Sequence, residues 1–317
     1  MKISKTATNE TNFLQSEFFY PSAREAMFDL FRSMLRNELI DTIFLPGYIG
    51  FSPKEGSGIF DPIAKLSQLQ VIYYKMTSDL NINQQDLKQK IQLNRSKKIA
   101  VLIVNYFGQR DLHYTEIVNE IKEISGWIIE DNAHGFFTFY NSPNHVADAT
   151  FFSLHKLFPT PAGGSLLLLN TKLQSLAYSG QVFSTGKNFN PWLYDVVGIA
   201  DRRKQNYLIL QKVIESRKNN ESFKPLKQLH HLDIPQTFPI KILKGNRDLI
   251  YHKMNESGYG VVSLYHTLIK PLQTPEFNDS LEISKSILNL PVHQDVLREE
   301  YPNMIECLSQ FCDSTNI

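Results

Sequence analysis

The sequence predicts an α/β protein: a large domain with a mostly parallel central sheet flanked by helices, then a smaller α+β C-terminal domain. Two observations predict it. Short apolar runs recur about 25 to 30 residues apart through the first half of the chain, the length of a strand–helix–strand unit. The runs are continuous rather than alternating, as in strands covered on both faces.

The elements run in order. "TIFL" (42–45), "VIYY" (71–74), "IAVLIV" (99–104) and "WIIE" (127–130) are the expected parallel strands. Between the last two, Ile117, Ile121 and Ile124 fall at helical spacing beside Val118, giving one apolar stripe. "TFFSL" (150–154) and "GGSLLLL" (163–169) read as two further strands. From about residue 201 the character changes: "DRRKQNYLILQKVIESRKNN" reads as a long amphipathic helix with a solvated basic start, and shorter mixed elements come after it. The large domain is therefore placed at residues 1–200 and the small one at 201–317.

Composition bounds the function. Lys plus Arg is 33 against 32 for Asp plus Glu, a net charge of +1, which argues against a nucleic-acid or membrane-surface binder. The two cysteines, Cys307 and Cys312, are too few for a disulfide framework or a zinc site. No 18-residue apolar stretch and no signal-peptide core are seen, so a cytoplasmic protein is expected.

In open α/β sheets, ligands bind beyond the carboxyl ends of the strands. Glu130 and Asp131 follow "WII", Ser153, His155 and Lys156 follow "TFF", "PGYIG" follows "TIFL", and "NYFGQ" follows "IAVLIV". Lys156 is the only lysine or arginine between Lys122 and Lys172, in an apolar run where an uncompensated ammonium is costly. Three chemistries could use such a lysine with an acid on the same rim. One is a structural salt bridge. A second is a metal site, although His134 and His155 lack a recognised ligand spacing. The third is a lysine nucleophile with a carboxylate set against the ring nitrogen of pyridoxal 5'-phosphate (PLP).

Such a cofactor needs its phosphate held, commonly by amides at a helix start. The glycine-rich "EGSGIF" (55–60) reads as a loop ahead of the helix "FDPIAKLSQL". "YPSAREAM" (20–27) is the better anion candidate: Ser22 and Glu25 match a capping box, and the amides of Ala23 and Arg24 would face the anion.

Several of these segments resemble the DegT–StrS family of PLP-dependent sugar aminotransferases. "IIEDNAHGFF" looks like the family's "viEDaAha.G", and "YPSAREAM" is similar to its "sGt.Al" helix start. "LIVNYFGQRDLHYTEI" resembles "hl.G...dm..I". "SLHKLFPTPAGGSLLLLN" resembles the lysine loop, and "LPVHQDV" (290–296) a C-terminal "LP.h..l" element. The matches run in the same order over most of the chain.

The resemblance implies the PLP-dependent transferase fold type I, with PLP as cofactor. It implies Lys156 as the imine-forming lysine, Asp131 against the pyridine nitrogen, and His134 near the ring and its hydroxyl. Ser153, Ser22, Ala23 and Arg24 would take the phosphate, and Tyr48 lies in the segment that often supplies a ring-stacking aromatic. It further implies transamination from glutamate to a nucleotide-linked keto sugar, in surface polysaccharide or antibiotic-sugar synthesis, by a homodimer with sites at the interface. A PLP enzyme for a non-nucleotide ketone and a non-catalytic scaffold are the alternatives. Three departures from the family stand out. Ser153 is three residues before the lysine, with Phe151 at the commoner five-back position. "TPAGG" lacks the family's acid, and "GKNFNPW" (186–192) is the nearest counterpart of the segment that reaches a partner's site.

Overall fold

The computed structural model describes residues 16–124, 126–182, 190–217 and 221–315. Its first half runs β1 (Glu17–Tyr20), α1 (Ala23–Arg36), β2 (Thr42–Pro46), α2 (Phe60–Ala64), β3 (Gln70–Tyr74), α3 (Gln84–Leu93), β4 (Ile99–Val104) and α4 (Tyr114–Glu123). It continues β5 (Trp127–Asp131), α5 (Phe136–Tyr140), β6 (Ala149–Ser153), β7 (Gly164–Leu168), α6 (Thr171–Gln174) and β8 (Gln181–Val182). The remainder is α7 (Val196–Glu215), β9 (Phe223–Pro225), β10 (Thr237–Ile242), α8 (Arg247–Glu256), α9 (Asn278–Ser286), β11 (Ile287–Pro291) and α10 (Tyr301–Ser314).

Eight strands form one sheet in the order β3-β2-β4-β5-β6-β7-β1-β8. Strands β2 to β6 are mutually parallel, whereas β7 runs antiparallel to both β6 and β1. The continuous apolar runs are explained by position. Strands β2, β6 and β7 are buried along their whole length, while the edge strand β3 is partly exposed. Between β2 and β4 the strand order reverses, so the loops leaving β2, β4, β5 and β6 gather on one rim.

Helix α1 covers the sheet at that rim. Ser22 caps it in extended conformation, its Oγ accepting the Glu25 N–H at 3.3 Å. Met27, Leu30, Phe31 and Met34 recur at helical spacing and are all buried.

The second sheet, β11-β10-β9, is antiparallel. Its core joins Phe238, Ile240, Leu288 and Leu290 to Tyr207 and Leu210 of α7 and to Met304 and Leu308 of α10. Two expectations are corrected. Helix α7 begins at Val196 rather than at residue 201, capped by Asp195, whose side chain accepts the Gly198 N–H. Its basic start is not all solvated either: Arg203 is 1% exposed and donates to Gln294 Oε1 and the Gln236 carbonyl. Residues Leu268, Ile269, Leu272 and Phe277 return to the core of the first sheet.

Candidate active site

A cavity of about 500 Å³ opens at the rim. Its walls are the start of α1, the loop after β2 (Ile49 to Ile59), the ends of β5 and β6, and Ser263 to His266 from the C-terminal half. Of the residues expected from the sequence, it brings together Lys156, Asp131, His134, Ser153, Ser22, Ala23 and Arg24. Glu130 is separated from Asp131 by strand alternation. It turns into a buried network, accepting from the Tyr114 hydroxyl and from Asn132 Nδ2.

Lys156 closes a single 3-10 turn directly after β6. Its side chain borders the open cavity, yet the wall around its amine desolvates it, and this burial holds the amine below the ordinary lysine range. The Asp131 charge opposes that shift and the Arg24 charge adds to it. Asp131 lies on the same floor, 7% exposed, with Oδ1 accepting the Ala133 N–H at 2.9 Å. Burial raises its carboxyl, partly offset by that N–H and by the Lys156 charge. A carboxylate so placed gains most from a cation set directly against it.

His134 links the two strand ends. The backbone N–H of Phe107 points at His134 Nδ1 from 3.3 Å, and Lys156 Nζ lies 3.1 Å from Nε2. With Nδ1 accepting, the neutral imidazole carries its proton on Nε2. That N–H can only donate to an amine lone pair, so the geometry suits an uncharged Lys156. Burial, reinforced by the lysine charge, keeps the imidazole well below its usual pKa, in agreement. Phe107 reaches this position with φ of 59°, a left-handed conformation unfavourable for a bulky residue. Gly108 comes next at φ 79°, where a Cβ would lie 2.7 Å from the Ile234 carbonyl oxygen.

The opposite end suits an anion. Among the described residues the amides of Ala23 and Arg24 have no hydrogen-bond partner, as first-turn amides commonly do not. Ser153 stands beside them on the cavity wall. Phe151, on the same face of β6, instead packs against Phe31 of α1 with ring centroids 6.2 Å apart. The approach depends on Gly164: a Cβ there would meet the Ala23 nitrogen at 2.2 Å. Arg24 is tied to the facing loop, donating to the Glu55 carbonyl at 2.6 Å. The glycine-rich 55–58 segment is thus both a loop ahead of α2 and a cavity wall. Gly56, at φ 72°, leaves room for Asp61, whose carboxylate accepts the Ser57 N–H at 2.8 Å.

Tyr48 is corrected. It is fully buried, packed edge-on against Tyr106 at 5.5 Å, and is not on the cavity wall. Tyr265, Ser57 and His266 line the cavity as well, and no motif or spacing in the sequence points to them. Nothing in "SLYHT" marks Tyr265, because its place is set by pairing with a segment more than 200 residues earlier. Residues 186–189 of "GKNFNPW" lie outside the described residues. No group of three or more His, Cys, Asp or Glu able to hold a metal is present among the described residues.

No protein family profile and no curated protein sequence matches the chain. Solved structures do. Helicobacter pylori PseC, an aminotransferase involved in the biosynthesis of pseudoaminic acid, aligns with a TM-score of 0.68 at 17% identity, over 96% of this chain and 92% of that one. A DegT DnrJ EryC1 StrS aminotransferase from Brucella abortus gives 0.70 at 14%, covering 93% and 86%. The E coli GDP-4-keto-6-deoxy-D-mannose-3-dehydratase with bound hydrated PLP gives 0.72 at 15%, covering 92% and 87%. The chain therefore shares the α/β fold of these structures, with a mostly parallel central sheet flanked by helices.

Proposed function

We propose that the protein is a PLP-dependent aminotransferase that moves an amino group from glutamate to a nucleotide-linked keto sugar. One observation carries the reading. The desolvated Lys156 amine, the buried Asp131 carboxylate and the free amides of α1 face a single cavity. The residues fit the cofactor: Lys156 would hold its aldehyde carbon and Asp131 its ring nitrogen. Ser22, Ala23, Arg24 and Ser153 would hold its phosphate, with His134 at the ring edge.

When bound, PLP supplies an electron sink for negative charge developing beside the donor nitrogen. The chain's own residues do the rest. Lys156 Nζ, when it is a free amine, can accept and return a proton at that atom. The N–H at His134 Nε2 fixes where the Nζ lone pair points. Asp131 would stay ionised once a cation faced it, and the Ala133 N–H restrains the rotation of its carboxylate.

The neighbours named for sugar biosynthesis support a sugar substrate, and Arg24, His155 and His266 give the cavity mouth polar groups suited to one. Exposed Leu193 and Val197 near the start of α7 support a homodimer. Two free cysteines support a reducing, cytoplasmic setting. The separate core of the second sheet supports a division into a large and a small domain near the start of α7.

The test is a visible absorbance spectrum with added PLP, beside Lys156→Ala. The expected result is a band in the parent that is absent from the variant and bleaches on addition of glutamate. A nucleotide-linked keto sugar should then restore it. Absence of the band from both proteins would overturn the proposal.

A further inference from the structure

We propose that Tyr265, and not Tyr48, is the aromatic wall on which the cofactor ring lies, and that position 50 is glycine to admit it. The proposal rests on the cofactor reading above. Three observations carry it.

The first is room. A Cβ on Gly50 would lie 2.7 Å from Tyr265 Cδ1 and 3.2 Å from its Cα, so any larger residue there would drive the ring and its backbone away. Gly50 and Tyr265 both face the cavity, whereas Tyr48 stands behind them.

The second is support. The Tyr265 ring rests on Tyr106 at 5.4 Å, Tyr48 at 5.5 Å, His134 at 5.9 Å and Phe107 at 6.0 Å, three of them at steep angles. Edge-to-face packing of this kind fixes a ring's plane. Tyr48 thus belongs to the foundation, one layer below the stacking surface.

The third is backbone. Tyr265 has φ of 58°, a conformation rarely kept by a bulky residue without a reason. It is imposed by pairing across the rim: the Phe51 N–H donates to the Thr267 carbonyl at 2.8 Å and the Ile269 N–H to the Ile49 carbonyl at 3.0 Å. These bonds hold Tyr265 on the wall of the cavity that Lys156 and Asp131 also line. An electron-rich phenol suits the electron-poor ring of a protonated pyridine, and an aliphatic side chain, with no π face, would not replace it.

The experiment titrates PLP into the purified parent, Tyr265→Phe, Tyr265→Leu, Gly50→Ala and Tyr48→Phe, reading affinity and the induced circular dichroism of the Lys156-dependent band. Thermal melts check that each variant is folded. Tyr265→Phe should bind within about twofold of the parent. Tyr265→Leu and Gly50→Ala should bind roughly three- to tenfold more weakly with reduced dichroism, and Tyr48→Phe should be unchanged. Undiminished affinity and dichroism in folded Tyr265→Leu would overturn the assignment, as would undiminished affinity and dichroism in folded Gly50→Ala. A parent without any Lys156-dependent band fails earlier and differently, and sinks the cofactor reading itself.

Discussion

Lys156 Nζ lies 3.1 Å from His134 Nε2, while the other ring nitrogen of that histidine faces the Phe107 N–H. The three groups come from the ends of three adjacent strands, so the sheet order sets the contact between the lysine and the imidazole. In the cofactor-free protein Lys156 should react with an amine reagent at a lower pH than surface lysines do. Its free base forms below the ordinary lysine range because burial disfavours the ammonium. His134→Ala admits water and removes the donor, and both effects raise the amine's pKa. Reactivity at neutral pH should then fall, roughly fivefold for the lost hydrogen bond alone. Peptide mass mapping of Lys156 against Lys172 reads this directly, and a faster reaction in the variant would contradict it.

Asp131→Asn keeps an oxygen for the Ala133 N–H but loses the charge. Burial already works against that charge, so thermal stability should hold or rise slightly. The half-reaction with glutamate should nonetheless slow on the order of a hundredfold or more, because the ring nitrogen loses its counter-ion. Stopped-flow bleaching of the visible band, set beside the melting curve, separates the two effects.

Gly164→Ala probes the anion end through packing alone. Its Cβ would meet the Ala23 nitrogen and the Ser22 carbonyl carbon, which are backbone atoms with no flexible end to move. The start of α1 must lift from β7. The expected result is a loss of about 1–3 kcal/mol in stability, as for other overpacked sites, with weaker retention of PLP or inorganic phosphate. Urea unfolding and a phosphate titration measure the two.

Much of this arrangement is legible in the sequence, for a local reason. Strands β2 and β4 to β7 announce themselves because both faces are covered, so each carries an unbroken apolar run. Lys156, Asp131 and Ser153 are legible because they stand at the carboxyl ends of those runs, where such a sheet presents its ligands. The features that escape are non-local. The strand "EFFY" pairs with β7 and β8, more than 140 residues away. Tyr265 arrives through the pairing of 267–269 with 49–51, and no neighbour in sequence records that. Tyr48 differs from expectation because the order of residues after a strand does not tell which turn inward and which line the rim. The true start of α7 is hidden because its cap, Asp195, precedes the conspicuous basic stretch.

Arg110 joins the halves of the molecule at the rim. Its Nε donates to Asp233 Oδ1 at 3.0 Å, its backbone N–H donates to Oδ2, and Nη1 donates to the Ser142 hydroxyl. Asp233 is 1% exposed. Arg110→Ala leaves that carboxylate buried with only the backbone donor on this side. It should cost about 3–5 kcal/mol in urea unfolding, and Arg110→Ala with Asp233→Asn together should cost less than the single change.

Glu17 offers a pH dependence that is independent of the site. It lies in β1, 4% exposed, and burial raises its carboxyl from 4.5 to about 7, the Ser165 hydroxyl partly opposing. In the folded state it therefore holds a proton over a range where the unfolded chain has already lost it. Stability contributed by Glu17 is fully present below pH 4.5 and is lost as the pH rises through about 7. The whole loss is roughly 3 kcal/mol, since each pH unit between the two values is worth about 1.4. Tyr140, which feels the Glu17 charge, is itself held protonated by burial and does not titrate in that window. Glu17→Gln should mimic the protonated form, leaving stability near pH 5 unchanged and raising it near pH 8. Urea unfolding of both proteins across pH 5 to 8 tests this: parallel curves would mean that Glu17 is ionised in the folded protein throughout.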